Sequence, residues 1–221
     1  RIARTVGLLS LLGPAGCLGP TGAGGMGRGP SAVDAGPPVR AGVTAQVEFP
    51  DHLEPPDDAT AERILEAVAD LWSQDLQVCT EAGMRLMEMG EVAVPYLGYF
   101  GPAQKRLRPG RRVRPSALLL PRLLRRVSDE HLAAALRSPY PSVRAAAAAV
   151  AGETGRRGMV EPLLEALDDP EPAVRRASVA ALRRITKRFH GYRPGDPPQK
   201  RAPAVARWRA WWGRSKDGEG T

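Results

Sequence analysis

The chain has 221 residues, of which 43% are hydrophobic but only 5% aromatic, and a formal net charge of +8. That length can bury a core in one domain or two, and apolar content dominated by Ala, Leu and Val favours helices over strands. No apolar run reaches the roughly 18 residues of a membrane-spanning helix, so nothing after the N-terminus is expected to cross a bilayer. Two cysteines, Cys17 and Cys79, are too few for a disulfide framework and lack metal-ligand spacing.

The opening stretch "RIARTVGLLSLLGPAGC" runs from Arg1 and Arg4 through an apolar segment, Val6 to Leu12, to small residues ending at Cys17. Charged, apolar, then small is the order of a secretory signal. The absence of an initiator Met suggests an incomplete or misassigned start. Residues 18–56 are expected to form a disordered linker, because ten Gly and eight Pro between Gly13 and Asp58 oppose a packed core. "GAGGMG", Gly22 to Gly27, fits GxGxxG, but Pro20 before it and "RGP" after it deny it the flanking strand and helix that dinucleotide binding needs. "VTAQVEF", Val43 to Phe49, alternates like a strand but has no evident partner.

The body is expected over 57–213. It opens with a helix over Asp58 to Trp72, with Ile64, Leu65, Val68, Leu71 and Trp72 on one face. Four segments then align, starting at Val78, Val113, Val143 and Val174, 35, 30 and 31 residues apart. That period signals stacked helical pairs. First helices carry buried stripes, Val143, Ala147, Val150 and Ala151 in one and Val174, Ser178, Ala181, Leu182 and Ile185 in the next, and Gly90 and Gly155 are expected to cap their C-terminal ends. Second helices are read in "VAVPYLGYF", "SDEHLAAAL" and "GMVEPLLEAL". The expected fold class is therefore all-α, an α-solenoid of about four helical pairs. The second pair is expected to be kinked or split, because Pro121 lies inside its helix.

Charge is uneven along the body. Residues 61–100 hold two Arg against seven acids, whereas 101–126 hold nine Lys or Arg and no acid. Arg108, Arg111, Arg112 and Arg114 form a possible basic contact patch, read first as a solvated connection and second as a phosphate-binding surface.

After a turn-rich stretch, a last helix is expected from near Pro203. Ala204, Val205, Trp208, Trp211 and Trp212 fall within an arc of about 120° at 100° per residue, with Arg207, Arg209 and Arg214 outside it. A solenoid exposes apolar surface at its ends unless something covers it. Trp208, Trp211 and Trp212 are read as that cap, in preference to a membrane-interface helix or a base-stacking platform. Residues 214–221 are expected to be a disordered tail.

No GxSxG, P-loop or HExxH pattern occurs, and His52, His131 and His190 look too dispersed for a metal site. The acidic pairs Asp57-Asp58, Asp129-Glu130 and Asp168-Asp169 are read as helix-start residues, and Cys79 as a small packed residue. No catalytic, cofactor or metal residue is assigned.

The aligned segments resemble the HEAT-repeat family, in particular the short bacterial HEAT-like repeats of the bilin-lyase type. The carrying residues are Val113-Arg114, Val143-Arg144 and Val174-Arg175, the small Ala82, Ala117 and Ala147, and the "MGEVAVPYL" turn. The N-terminal segment resembles a bacterial lipoprotein signal, in which Cys17 would be lipidated. These resemblances imply a right-handed superhelix of about four HEAT-like helical pairs, acting as a non-enzymatic protein-binding scaffold of the cell envelope, with contacts on the second helices. Alternatives are a nucleic-acid-binding HEAT-like protein using residues 105–126, a bilin-lyase-like accessory protein, and a cytoplasmic location.

Overall fold

The computed structural model describes residues 46–73, 75–100 and 115–217. Cys17, the signal-like segment, most of the linker, and Arg108, Arg111, Arg112 and Arg114 lie outside the described residues. All described residues belong to one compact unit, and they contain helices but no strand.

The first helix, α1 (Asp58–Asp70), starts where the Asp57 carboxylate accepts the Thr60 amide at 2.7 Å. That bond lowers the Asp57 pKa. α1 buries Ala61, Ile64, Leu65, Ala67 and Val68 against α2 (Leu76–Met89) and α3 (Ala93–Phe100). The chain then stacks first helices α4 (Pro115–Leu124), α6 (Pro141–Thr154) and α8 (Pro172–Thr186), with α5 (Asp129–Ala135) and α7 (Val160–Glu165) between them. This is the expected α-solenoid. Val78, Val143 and Val174 each stand third in their helices.

Small residues on α6 let it lie close on α8. Val143, Ala147, Ala148, Val150, Ala151 and Gly152 are buried, and Gly152 lies directly on Ala181 of α8. Gly155 ends α6 in the left-handed conformation, φ 68° and ψ 25°. Lys187 takes that conformation after α8, whereas Gly90, at φ 69° and ψ −139°, does not.

The arginines of the Val-Arg pairs tie the turns together. Arg144 holds Asp169 with two hydrogen bonds, Nε to Oδ2 at 2.7 Å and Nη2 to Oδ1 at 3.0 Å, and donates to the carbonyls of Ser138 and Pro139. Arg175 donates to the carbonyls of Asp169, Pro170 and Pro194. Each guanidinium thus satisfies carbonyls left open before its own helix and reaches into the next turn.

Three boundaries differ from expectation. Residues 46–52 pack on the body: Val47 is buried, Phe49 meets Tyr96 edge-on at 5.7 Å, and the Tyr140 hydroxyl accepts the Glu48 amide at 2.7 Å. Two apolar side chains suffice to dock a short arm that composition alone assigns to the linker. α4 runs unbroken past Pro121, which forgoes only its own bond to the carbonyl four residues back. The last helix, α9 (Pro198–Asp217), starts five residues before Pro203 and continues past 214, into the expected tail. Within it Arg209 pairs with Asp168 at 3.1 Å, and beyond residue 214 Lys216 pairs with Glu161 of α7 at 2.5 Å, both at the exposed surface.

α9 covers the end of the stack with Ala204, Val205 and a fully buried Trp208, while Trp211 and Trp212 are half-buried at its margin. Arg201 falls in the same arc and is also buried. Trp208 packs edge-on against His190 at 4.4 Å and Trp211 at 5.8 Å. Tyr192, from the turn-rich stretch, is fully buried and donates its hydroxyl to the Leu167 carbonyl. Burial raises its pKa.

Candidate functional site

The first helices α2 and α4 carry more apolar residues than the core uses. α2 buries Ala82 and Leu86 inward. A second stripe, Leu76, Met84 and Met87, faces a groove of about 990 Å³ whose opposite wall is Leu118 and Leu119 of α4. Leu76 is 79% exposed, Met84 54% and Leu118 56%. These are three of the four large hydrophobic side chains most exposed among the described residues, and the fourth, Phe189, lies under the Arg183 guanidinium. Contiguous exposed apolar surface of this kind marks interaction sites.

Arg122, Arg125 and Arg126 line the same groove, facing Glu88 on α2. Arg125 also pairs with Glu153 of α6. Its backbone carbonyl is held by Arg156 Nη2 at 3.0 Å, and Arg156 also binds Asp129 and the Val127 carbonyl, so the turn carrying these arginines is fixed from below. Cys79 sits half-exposed on the groove wall, its thiol toward the carbonyls of Ser73 and Leu71. Gly83 leaves the groove floor low; a Cβ there would meet Leu119 only at ordinary contact distance, 3.6 Å.

The second helices differ from expectation. The arm lies on α3, where Tyr99 donates its hydroxyl to Gln46 at 2.6 Å, so part of the surface assigned to a partner is covered by the chain itself. Burial raises the pKa of Tyr140 beneath the arm, with the bond from the Glu48 amide opposing it.

The histidines also correct the sequence reading. His52 and His131 are not dispersed: both hydrogen-bond the Glu91 carboxylate, His52 Nε2 to Oε1 at 3.1 Å and His131 Nδ1 to Oε2 at 2.9 Å. His190 is separate from them, packed under Trp208 and Trp211. Its pKa is lowered by burial first, then by Arg188, Arg207 and Arg214. Of the acidic pairs, Asp57 caps α1, and Asp129 and Glu130 stand in the first turn of α5 behind its Ser128 cap. Asp169 accepts the Glu171 amide at the start of α8 at 2.8 Å and also pairs with Arg144, while Asp168 pairs with Arg209.

Residues 129–199 match the family model for HEAT repeats. The match spans α5 to α8 and ends at the start of α9, covering the two pairs whose Val-Arg residues form the turn ties. HEAT repeats generally mediate protein–protein interaction. No curated protein and no solved structure matches the chain.

The groove lies N-terminal to the matched segment. Its walls are not evident in the sequence, because Leu76, Met84 and Leu118 lie at helical spacing alongside the residues that the core buries. The available signal was that α2 carries two apolar stripes, at Ala82 and Leu86 and at Leu76 and Met84, where one buried face needs a single stripe.

Proposed function

We propose that this protein is a non-enzymatic binding scaffold whose α2 and α4 groove receives an amphipathic helix of a partner protein, acidic along one edge. The observation that carries this reading is the exposed apolar strip Leu76, Met84 and Leu118 beside Arg122, Arg125 and Arg126. Helix-in-groove recognition uses apolar anchors three and four residues apart, and basic residues at the rim select acidic flanks and set register. A phosphate backbone would leave the apolar floor unused, so Arg122, Arg125 and Arg126 fit an acidic peptide better than a nucleic acid. The HEAT-repeat match downstream supports a protein as the partner.

The same reading puts the scaffold at the cell envelope, tethered through the residues from Cys17 to 45, with Cys17 as the lipidation point. Its support is the charged, apolar and small order of Arg1 to Cys17. Intact-mass analysis of protein from the host tests it: a mature chain starting at a lipidated Cys17 is expected, and a cytosolic product retaining residues 1–16 would contradict it.

The groove is tested with two labelled amphipathic helical peptides of equal length, one built from Leu and Glu and one from Leu and Lys. The full chain is expected to bind the Leu/Glu peptide more tightly, and Met84→Glu to abolish that binding. Equal binding of both peptides, or binding unaffected by Met84→Glu, would remove the groove as the site.

A further inference from the structure

His52, Glu91 and His131 come from three separate parts of the chain. His52 lies in the docked arm, Glu91 in the single turn joining α2 to α3, and His131 in the first turn of α5. One donor atom from each lies within 4.8 Å of the others. Among the described residues no other three His, Cys, Asp or Glu side chains converge in this way. The two imidazoles are tilted by 35° with centroids 4.8 Å apart, and each points a nitrogen at a different oxygen of the same half-buried carboxylate.

A carboxylate hydrogen-bonded between two imidazoles is a satisfied network and needs no metal. The same arrangement also supplies what a divalent transition metal takes: two imidazole nitrogens and a carboxylate oxygen, the donor set of the His2Glu zinc sites. Zinc bonds to nitrogen are about 2.0–2.1 Å, which in tetrahedral geometry sets donor atoms roughly 3.3 Å apart. The widest separation here is 4.8 Å, so closing onto an ion requires donor movement on the order of 1 Å. That is within the rotation of three side chains that keep between 21% and 40% of their side-chain surface exposed. The arm bearing His52 is seated by Val47 and Phe49 and by two hydrogen bonds, from the Glu48 amide to Tyr140 and from Tyr99 to Gln46.

We propose that His52, Glu91 and His131 bind one Zn2+ ion, which fastens the 46–57 arm across the α2–α3 turn and α5. Three protein donors leave the fourth position to water or to a donor from a bound partner. The ion replaces the two hydrogen bonds to Glu91 with bonds from all three segments to one centre. Its effect is to stabilise the folded chain, because an unfolded chain cannot gather donors that are 39 and 40 residues apart.

The test uses the full chain, free of any affinity tag and kept reduced. Zn2+ is titrated in competition with a chromogenic chelator, and Co2+ is added separately to read its visible absorption. The expected result is one Zn2+ per chain, a four-coordinate Co2+ spectrum, and a melting temperature raised by Zn2+. His52→Ala, Glu91→Gln and His131→Ala should each weaken Zn2+ at least the roughly tenfold that losing even an outer-shell partner costs, while His190→Phe binds as wild type. Zn2+ should also slow proteolysis within residues 46–57 of wild type but not of His52→Ala. Circular dichroism checks that each variant is folded, and His52→Ala on the arm carries the test if His131→Ala is not. Failure of wild type to bind stoichiometric Zn2+, or undiminished binding in the His52→Ala, His131→Ala double variant, would overturn the site.

Discussion

Gly152→Ala sets two effects of opposite sign against each other, and the structure decides between them. Within a helix, replacing Gly by Ala gains about 1 kcal/mol in propensity. At Gly152 the new Cβ would lie 2.6 Å from Ala181 Cα and 2.8 Å from Ala181 Cβ. Ordinary contact begins near 3.4 Å, so α6 and α8 must separate by about 0.8 Å, the difference between 3.4 and 2.6. The obstacle is backbone and cannot rotate away. A gap of that size forfeits a quarter to a half of each dispersion contact along the interface of Ala147, Ala148, Ala151, Val174 and Ser178. Overpacking of this kind costs about 1–3 kcal/mol, with a backbone obstacle at the upper end, so the net expectation is a loss of about 2 kcal/mol. Gly83→Ala is the control, since its Cβ would meet only Leu119 Cδ2 at 3.6 Å. It should stabilise the chain by up to about 1 kcal/mol. Urea denaturation followed by circular dichroism measures both. A Gly152→Ala protein as stable as wild type would refute the close packing of α6 on α8.

Two further substitutions probe the closing helix. Trp208→Ala should cost about 3–5 kcal/mol, because Trp208 is fully buried and its loss leaves a cavity. Arg209→Ala removes only an exposed pair with Asp168 and should change stability by less than about 0.5 kcal/mol; equal denaturation midpoints for the two variants would show that α9 does not close the core. The lowered pKa of His190 makes the cap sensitive to acid. The folded protein holds that imidazole neutral below the pH at which the unfolded chain protonates it, so the unfolded state binds more protons in that window. Stability should therefore be fully present above the ordinary histidine pKa of about 6.5, fall as the pH drops below it, and level off once the folded-state pKa is passed. His190→Phe should show a shallower decline, and parallel pH profiles for the two proteins would contradict the linkage.

Helices that repeat a pattern were the most legible part of the sequence. Val143, Ala147 and Ala151, and Val174, Ser178 and Leu182, recur at helical spacing, and the same physical requirement that spaces them, one buried stripe per helix, puts them in the core. Trp208 was legible for the same reason. What stayed hidden depends on contacts that no local pattern records. Val47 and Phe49 sit in a Gly- and Pro-rich stretch, and their burial depends on a body surface distant in sequence, Tyr96 of α3 for Phe49. His52, Glu91 and His131 are far apart along the chain, so a search for close ligand spacing passes over them. Tyr192 stands among turn residues, and its burial follows from the Leu167 carbonyl that receives its hydroxyl. The groove is a case of surplus rather than absence: Leu76, Met84 and Leu118 fit a helical pattern, but burial of Ala82, Leu86, Leu119 and Leu120 already completes the core beneath them.

Site-specific photo-crosslinking in the host tests the central claim, that this groove docks a protein, most directly. A photoreactive phenylalanine analogue is placed singly at Met84, at Leu118 and at Phe189, the last being an exposed apolar side chain remote in sequence from the groove. Crosslinks from Met84 and Leu118 should converge on one segment of one partner, an amphipathic helix with acidic residues, and Phe189 should give none to that segment. Crosslinks from Met84 and Leu118 that map to this chain's own residues, or a partner captured equally from Phe189, would contradict the account.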